Sequence, residues 1–72
     1  MKVNPVGANM TEVQTNEGVV FFSYKTPVAA LIDGDYYRTA QKWSMTTSRH
    51  INKWLDGVAA QEKPQSFFDS LA

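Results

Sequence analysis

An α+β fold is predicted: a three- to four-stranded antiparallel β-meander with one helix packed on it and a short apolar C-terminal tail. Three observations predict it. Asp33-Gly34 is a strong two-residue hairpin signal. The run "VVFFSYK" is rich in β-branched and aromatic residues. In "TTSRHINKWLDG", apolar residues recur at helical spacing. The chain reads as one domain over 1–72, divided into a flexible arm (1–10), a meander (11–45), a helix (46–60) and a tail (61–72).

Residues 1–10 carry Pro5 and Gly7 and show no period, which predicts a loose arm. Thr11 to Thr15 alternates as a short strand, and Asn16-Glu17-Gly18 turns the chain into the second strand. There Val20, Phe22 and Tyr24 share one face, and Val19, Phe21 and Ser23 share the other. Both faces begin apolar, so this strand is expected at the sheet's centre or under a partner. Thr26-Pro27 interrupts the ladder because proline lacks an N–H, and "VAALI" resumes it. After Asp33-Gly34 the sequence stays compatible with a strand through Trp43. Tyr37, Thr39, Gln41, Trp43 and Met45 are expected to face the core, and Tyr36, Arg38, Ala40, Lys42 and Ser44 the other side.

Thr46 or Thr47 is expected to cap a helix whose Ile51, Trp54, Leu55 and Val58 form one stripe. Arg49, Lys53 and Asp56 fall opposite it, and His50 at its edge. Gly57 ends the helix, or the helix runs on to Pro64. The tail "PQSFFDSLA" can close as a helical turn started by Gln65 or Ser66. Phe67, Phe68 and Leu71 are expected to dock on the domain or on a second copy.

Composition narrows the function classes. A chain of 72 residues sits where a single core supplies about 3–5 kcal/mol unless reinforced. There is no cysteine, so disulfides are excluded, and with one histidine a structural zinc site of the usual tetrahedral kind is not expected; oligomerisation is the expected staple, and a homodimer is expected. No apolar run approaches the roughly 18 residues of a membrane span, and "MKVNPVGANM" lacks the core of a signal peptide. A cytoplasmic location without membrane contact follows as an expectation. Seven basic residues balance seven acidic ones, so nucleic-acid binding would have to be local rather than drawn in by net charge.

An enzyme is not expected. A nucleophile–base system would have to pair His50 with Ser44, Ser48 or a threonine, and no spacing selects an acid among Asp33, Asp35 and Asp56. No phosphate loop or cofactor motif is present, so no cofactor is expected. The helix start carries more information. Hydroxyls of Thr46, Thr47 and Ser48, the free N–H groups of a first turn, and the cations Arg49 and His50 describe an anion or phosphate site, with Lys42 and Lys53 nearby. The plainer alternative is an ordinary cap, with Arg49 in solvent and the His50 ring packed beside Trp54. A second candidate is an aromatic face for single-stranded nucleic acid. There Phe21, Tyr36, Tyr37 or Trp43 would stack bases, and Lys25, Arg38 and Lys42 would hold phosphates.

The blocks "VVFFSYKTPVAA", "YYRT", "WSMTTSRHINKWL" and "PQSFFDSL" together resemble a family of small uncharacterised proteins from phages and prophage-bearing genomes, from Gly18 to Leu71. The resemblance implies a phage or mobile-element origin, hence a host-cell cytoplasm, and no mechanism. Its pattern falls on Tyr24, Thr26, Pro27, Tyr37, Thr39, Ser44, Thr46, Thr47, Arg49, His50 and Trp54. The expectation is a non-enzymatic accessory protein that binds nucleic acid or a nucleic-acid-handling protein. The alternative is a structural or inhibitory module that docks on a host or virion protein.

Overall fold

The computed structural model describes residues 2–71. Its centre is a six-stranded sheet in sequential order: β1 (Lys2–Gly7), β2 (Met10–Thr15), β3 (Gly18–Ser23), β4 (Thr26–Ile32), β5 (Asp35–Thr39) and β6 (Gln61–Lys63). The first five strands form an antiparallel meander, and β6 pairs parallel to β5. A parallel neighbour needs a crossover, and helix α1 (Met45–Leu55) supplies it. A second helix, α2 (Gln65–Asp69), follows β6.

The meander is thus longer at both ends than the three to four strands expected. The expected arm is strand β1, paired with β2 from Lys2↔Gln14 to Gly7↔Met10. Its turn, Ala8-Asn9, uses Asn9 at φ 61, a left-handed position that asparagine tolerates. Pro5 is compatible with the strand because β1 lies at the sheet edge, where a missing donor costs no interior ladder bond. At the other end, 61–63 leave the expected tail to become β6.

Asp33 and Gly34 both take positive φ, 52 and 83, as a two-residue turn of type I′ requires, and Ile32 pairs with Asp35. Between β3 and β4 the turn is Tyr24-Lys25, with Tyr24 at φ 57, so Tyr24 does not extend the face of Val20 and Phe22. Pro27 sits inside the sheet. The register shifts between Phe21 and Phe22, which pair with Ala29 and Pro27, and β5 pairs with β4 only from Ala29 onward. Pro27 therefore faces no donor-hungry partner in β5, and its carbonyl accepts from Gln65 Nε2 at 2.7 Å.

Both sheet faces are covered, which corrects the expectation of one core-facing set on the fifth strand. Tyr36 meets Trp54 of α1 edge-on, with ring centroids 5.8 Å apart, whereas its neighbour Tyr37 meets Phe67 of α2 at 5.4 Å. Adjacent strand residues point to opposite faces, so the two helices lie on opposite sides of the sheet. On the α1 side Met10, Phe21, Val28, Ala29, Ile51 and Leu55 form a buried cluster, with Phe21 stacked on Trp54 at 5.0 Å. On the α2 side Phe68 is fully buried and meets Phe67 edge-on at 5.1 Å. The radius of gyration, 10.8 Å, is close to the roughly 11 Å of a compact chain this long, so the tail folds onto its own domain.

Strand β5 stops at Thr39 rather than continuing to Trp43, because Thr39 Oγ1 accepts the Gln41 N–H and closes a local turn. Trp43 and Met45, expected in the core, are 42% and 75% exposed. Helix α1 is shorter than 46–60 and is capped by Ser44, not Thr46 or Thr47: Ser44 Oγ accepts the Thr47 N–H at 3.2 Å. It ends where Asp56 turns left-handed at φ 49 and returns its N–H to the Asn52 carbonyl, with Gly57 next at φ 84. Val58 lies beyond that stop and is exposed, so the buried stripe is Ile51 and Leu55 with Trp54 half-buried.

Candidate functional site

Helix α1 sits on the sheet through a chain of hydroxyls. Ser44 Oγ lies 3.3 Å from Thr47 Oγ1, which lies 3.2 Å from Ser23 Oγ of β3, and that oxygen is 2.8 Å from His50 Nδ1. Each hydroxyl both donates and accepts, so the chain can satisfy either tautomer of the ring. Thr47 and Ser23 are buried, and among the described residues no buried side-chain nitrogen or oxygen lacks a partner. The His50 ring rests against Tyr24, centroids 5.7 Å apart. Ser23 was absent from the sequence-based candidates. Its signal was a lone hydroxyl on the inward face of an otherwise apolar strand.

This arrangement divides the nine residues proposed for anion or nucleic-acid binding. Thr47 and His50 are engaged in holding α1 to β3. The Ser48 N–H is not free: it closes the first helical turn on the Ser44 carbonyl at 3.1 Å. Thr46, Arg49 and Lys53 are exposed on α1. Lys53 stands in the last turn, where a cation complements the helix dipole. Tyr36 is occupied by Trp54.

The remaining residues converge. Arg38 from β5, Lys42 from the β5–α1 loop, and Thr47 and Ser48 from α1 line one open groove of about 410 Å³. Trp43, Met45, Ile51 and Glu62 complete much of its wall. Arg38 is half-buried, and its Nη1 donates to Asn52 Oδ1 at 3.3 Å, which anchors the guanidinium to α1. Glu62 is the register partner of Arg38 across β5–β6. The groove thus carries two cations, one carboxylate, the hydroxyl residues Thr39, Thr47 and Ser48, and two exposed apolar side chains.

Trp43 is held in place. Its Nε1–H donates to Gln65 Oε1 at 3.2 Å. The same oxygen accepts from Thr39 Oγ1 at 2.8 Å, while Gln65 Nε2 donates to the Pro27 carbonyl and to Asp69 Oδ1. One glutamine therefore ties β4, β5, the β5–α1 loop and α2 together. The sequence reading did not single out Gln65, since a glutamine at a helix start announces no long-range partner.

A match to a family model spans residues 1–70. The chain belongs to DUF8033, a family of unknown function. No curated protein and no solved structure matches it. The DUF8033 match takes in both β1 and the C-terminal helix, so edge strand, groove and the Gln65 tie all lie within the family's extent.

Ser23 and His50 stand at the separation of a nucleophile and its base, but Ser23 is 1% exposed and a substrate carbonyl cannot reach it. Among the described residues, no group of three His, Asp or Glu side chains is placed to hold a metal ion. Among the described residues, no helix is long and apolar enough to cross a membrane. Of the tail residues proposed as an interface, Phe68 is buried in its own domain, and Phe67 and Leu71 are half-buried.

Proposed function

We propose that this DUF8033 chain is a non-enzymatic accessory protein of phage type, and that it engages nucleic acid through the groove between β5, the β5–α1 loop and α1. The supporting observation is the convergence of Arg38, Lys42 and Ser48, from three different segments, on one open surface beside an exposed aromatic ring. Arg38 and Lys42 would take phosphate oxygens, the first with its guanidinium already oriented by Asn52. The phage assignment rests on the sequence resemblance. With zero formal net charge, affinity must come from this local pair, so binding should be weak in high salt.

Electrophoretic or anisotropy titration of oligonucleotides tests the reading. Binding should fall steeply with salt, and Arg38→Ala with Lys42→Ala should abolish it while the circular dichroism spectrum is retained. Full binding by that double variant, or none by the wild type at low salt, would remove the groove from consideration.

A second reading is favoured by strand β1, which is exposed along its whole length and carries Val3 and Val6 at 62% and 42% exposure. A partner protein or a second copy of the chain would add there by strand pairing. Pro5 weighs against it, since a proline midway along an edge interrupts the outward row of donors. Sedimentation at high concentration separates the two occupants: a monomer excludes the homodimer, and capture of a discrete host or virion protein, lost on deleting residues 2–7, supports docking.

A further inference from the structure

The aromatic residues of this chain differ sharply in what they can still touch. Phe21 is fully buried and stacked on Trp54. Tyr36 abuts the same indole, and Tyr37 is covered by Phe67, with Lys63 Nζ 5.7 Å from its ring centre. Phe68 is buried. Two large rings are exposed, Tyr24 and Trp43. Tyr24 rests on His50 at the β3–β4 turn, and it does not line the groove that holds Arg38 and Lys42. Trp43 does line it.

We propose that Trp43 is the stacking residue of the groove, and that the ligand is a single-stranded nucleic acid. One unpaired base would lie on the indole, with its flanking phosphates on Lys42 and Arg38. This rests on the nucleic-acid reading above and narrows it from any nucleic acid to unpaired strands. Three observations carry it. Trp43 is 42% exposed and lines the groove, so the residue is accessible to a ligand seated there. Its single polar atom is already bonded to Gln65 Oε1, which leaves the ring fixed by its edge and saves the entropy of ordering it on binding. Cations and ring share one groove, and a base with its phosphate needs that combination: stacking for the π-face and positive charge for the backbone. A duplex hides its base faces, so stacking of this kind selects against paired strands.

The test uses the full chain, a thymidine oligomer of about ten nucleotides and the same oligomer paired with its complement. Fluorescence follows the indoles, and anisotropy of a labelled strand follows binding independently. Wild-type protein is expected to bind the single strand with quenching of tryptophan emission, and to bind the duplex more weakly. Trp43→Ala should weaken single-strand binding about 5- to 150-fold and remove the preference over duplex. Trp43→Phe should recover most of the affinity, because a phenyl ring still stacks. Both variants are checked for retained ellipticity.

Failure of the two readings looks different. If the oligomers bind and depend on Arg38 and Lys42, but Trp43→Ala changes neither affinity nor strand preference, stacking is overturned and the groove reading stands. If the wild type binds neither oligomer at low salt, both fall.

Discussion

The two helices lie on opposite faces of one sheet and are held there by different means. Helix α1 has eleven residues, the apolar anchors Ile51 and Leu55, a stacked tryptophan and a hydroxyl chain that reaches into β3. Helix α2 has five residues and two principal ties, the buried ring of Phe68 and the amide of Gln65. A helix that short is not stable alone in water, so tertiary contacts must hold it. The consequence crosses the sheet: Gln65, which secures α2 on one side, also fixes Trp43 at the groove beside α1. Fold stability and site order are therefore coupled through one residue on the weaker side.

The largest loss is expected at Phe68. Phe68→Ala leaves a cavity under α2 and should cost about 3–5 kcal/mol, against a total of roughly 4–11 kcal/mol for a chain of this size. Urea denaturation is the check, and a midpoint near the wild type's would mean that α2 contributes little. Next comes Gln65→Ala, which strips Thr39 and Trp43 of their shared acceptor and should cost about 1–3 kcal/mol. It should also raise the mobility of the Trp43 ring, read as faster depolarisation of its fluorescence in a Trp54→Phe background.

On the stronger side, Ser44→Ala removes the cap of α1 and should cost about 1 kcal/mol by thermal or chemical denaturation. Smallest is Arg49→Ala, a change on an exposed helical surface that should stay within about 0.5 kcal/mol. It should also leave oligonucleotide affinity close to wild type, in contrast to Lys42→Ala, because Arg49 does not line the groove.

Local patterns were legible in the sequence to the extent that their physics is local. Asp33-Gly34 announced its turn through the positive φ that both positions require, and Ile51, Trp54 and Leu55 announced a helix through their spacing. Strand β1 was missed because its alternation is weak and Pro5 argues against a strand until one knows that it lies at an edge. The helix cap was misplaced by two or three residues because Ser44 and Thr46 to Ser48, four hydroxyl residues within five positions, all suit a cap, and tertiary burial of Thr47 decides among them. Arg38, Lys42 and Ser48 were named for the site without sequence evidence that they meet. That convergence depends on where β5 ends. Gln65 and Ser23 act across 38 and 27 positions of sequence, to Pro27 and His50 respectively, a distance over which no local rule speaks.

The most direct test maps binding on the chain itself. In a ¹⁵N–¹H spectrum titrated with a thymidine oligomer at low salt, shifts should concentrate on Arg38 to Ser48 and on the indole N–H of Trp43, while the backbone of β1 and the β3–β4 turn stays unmoved. Shifts centred on β1 or around Tyr24 and Arg49, or an unchanged spectrum at saturating oligomer, would contradict the assignment of this groove as the binding site.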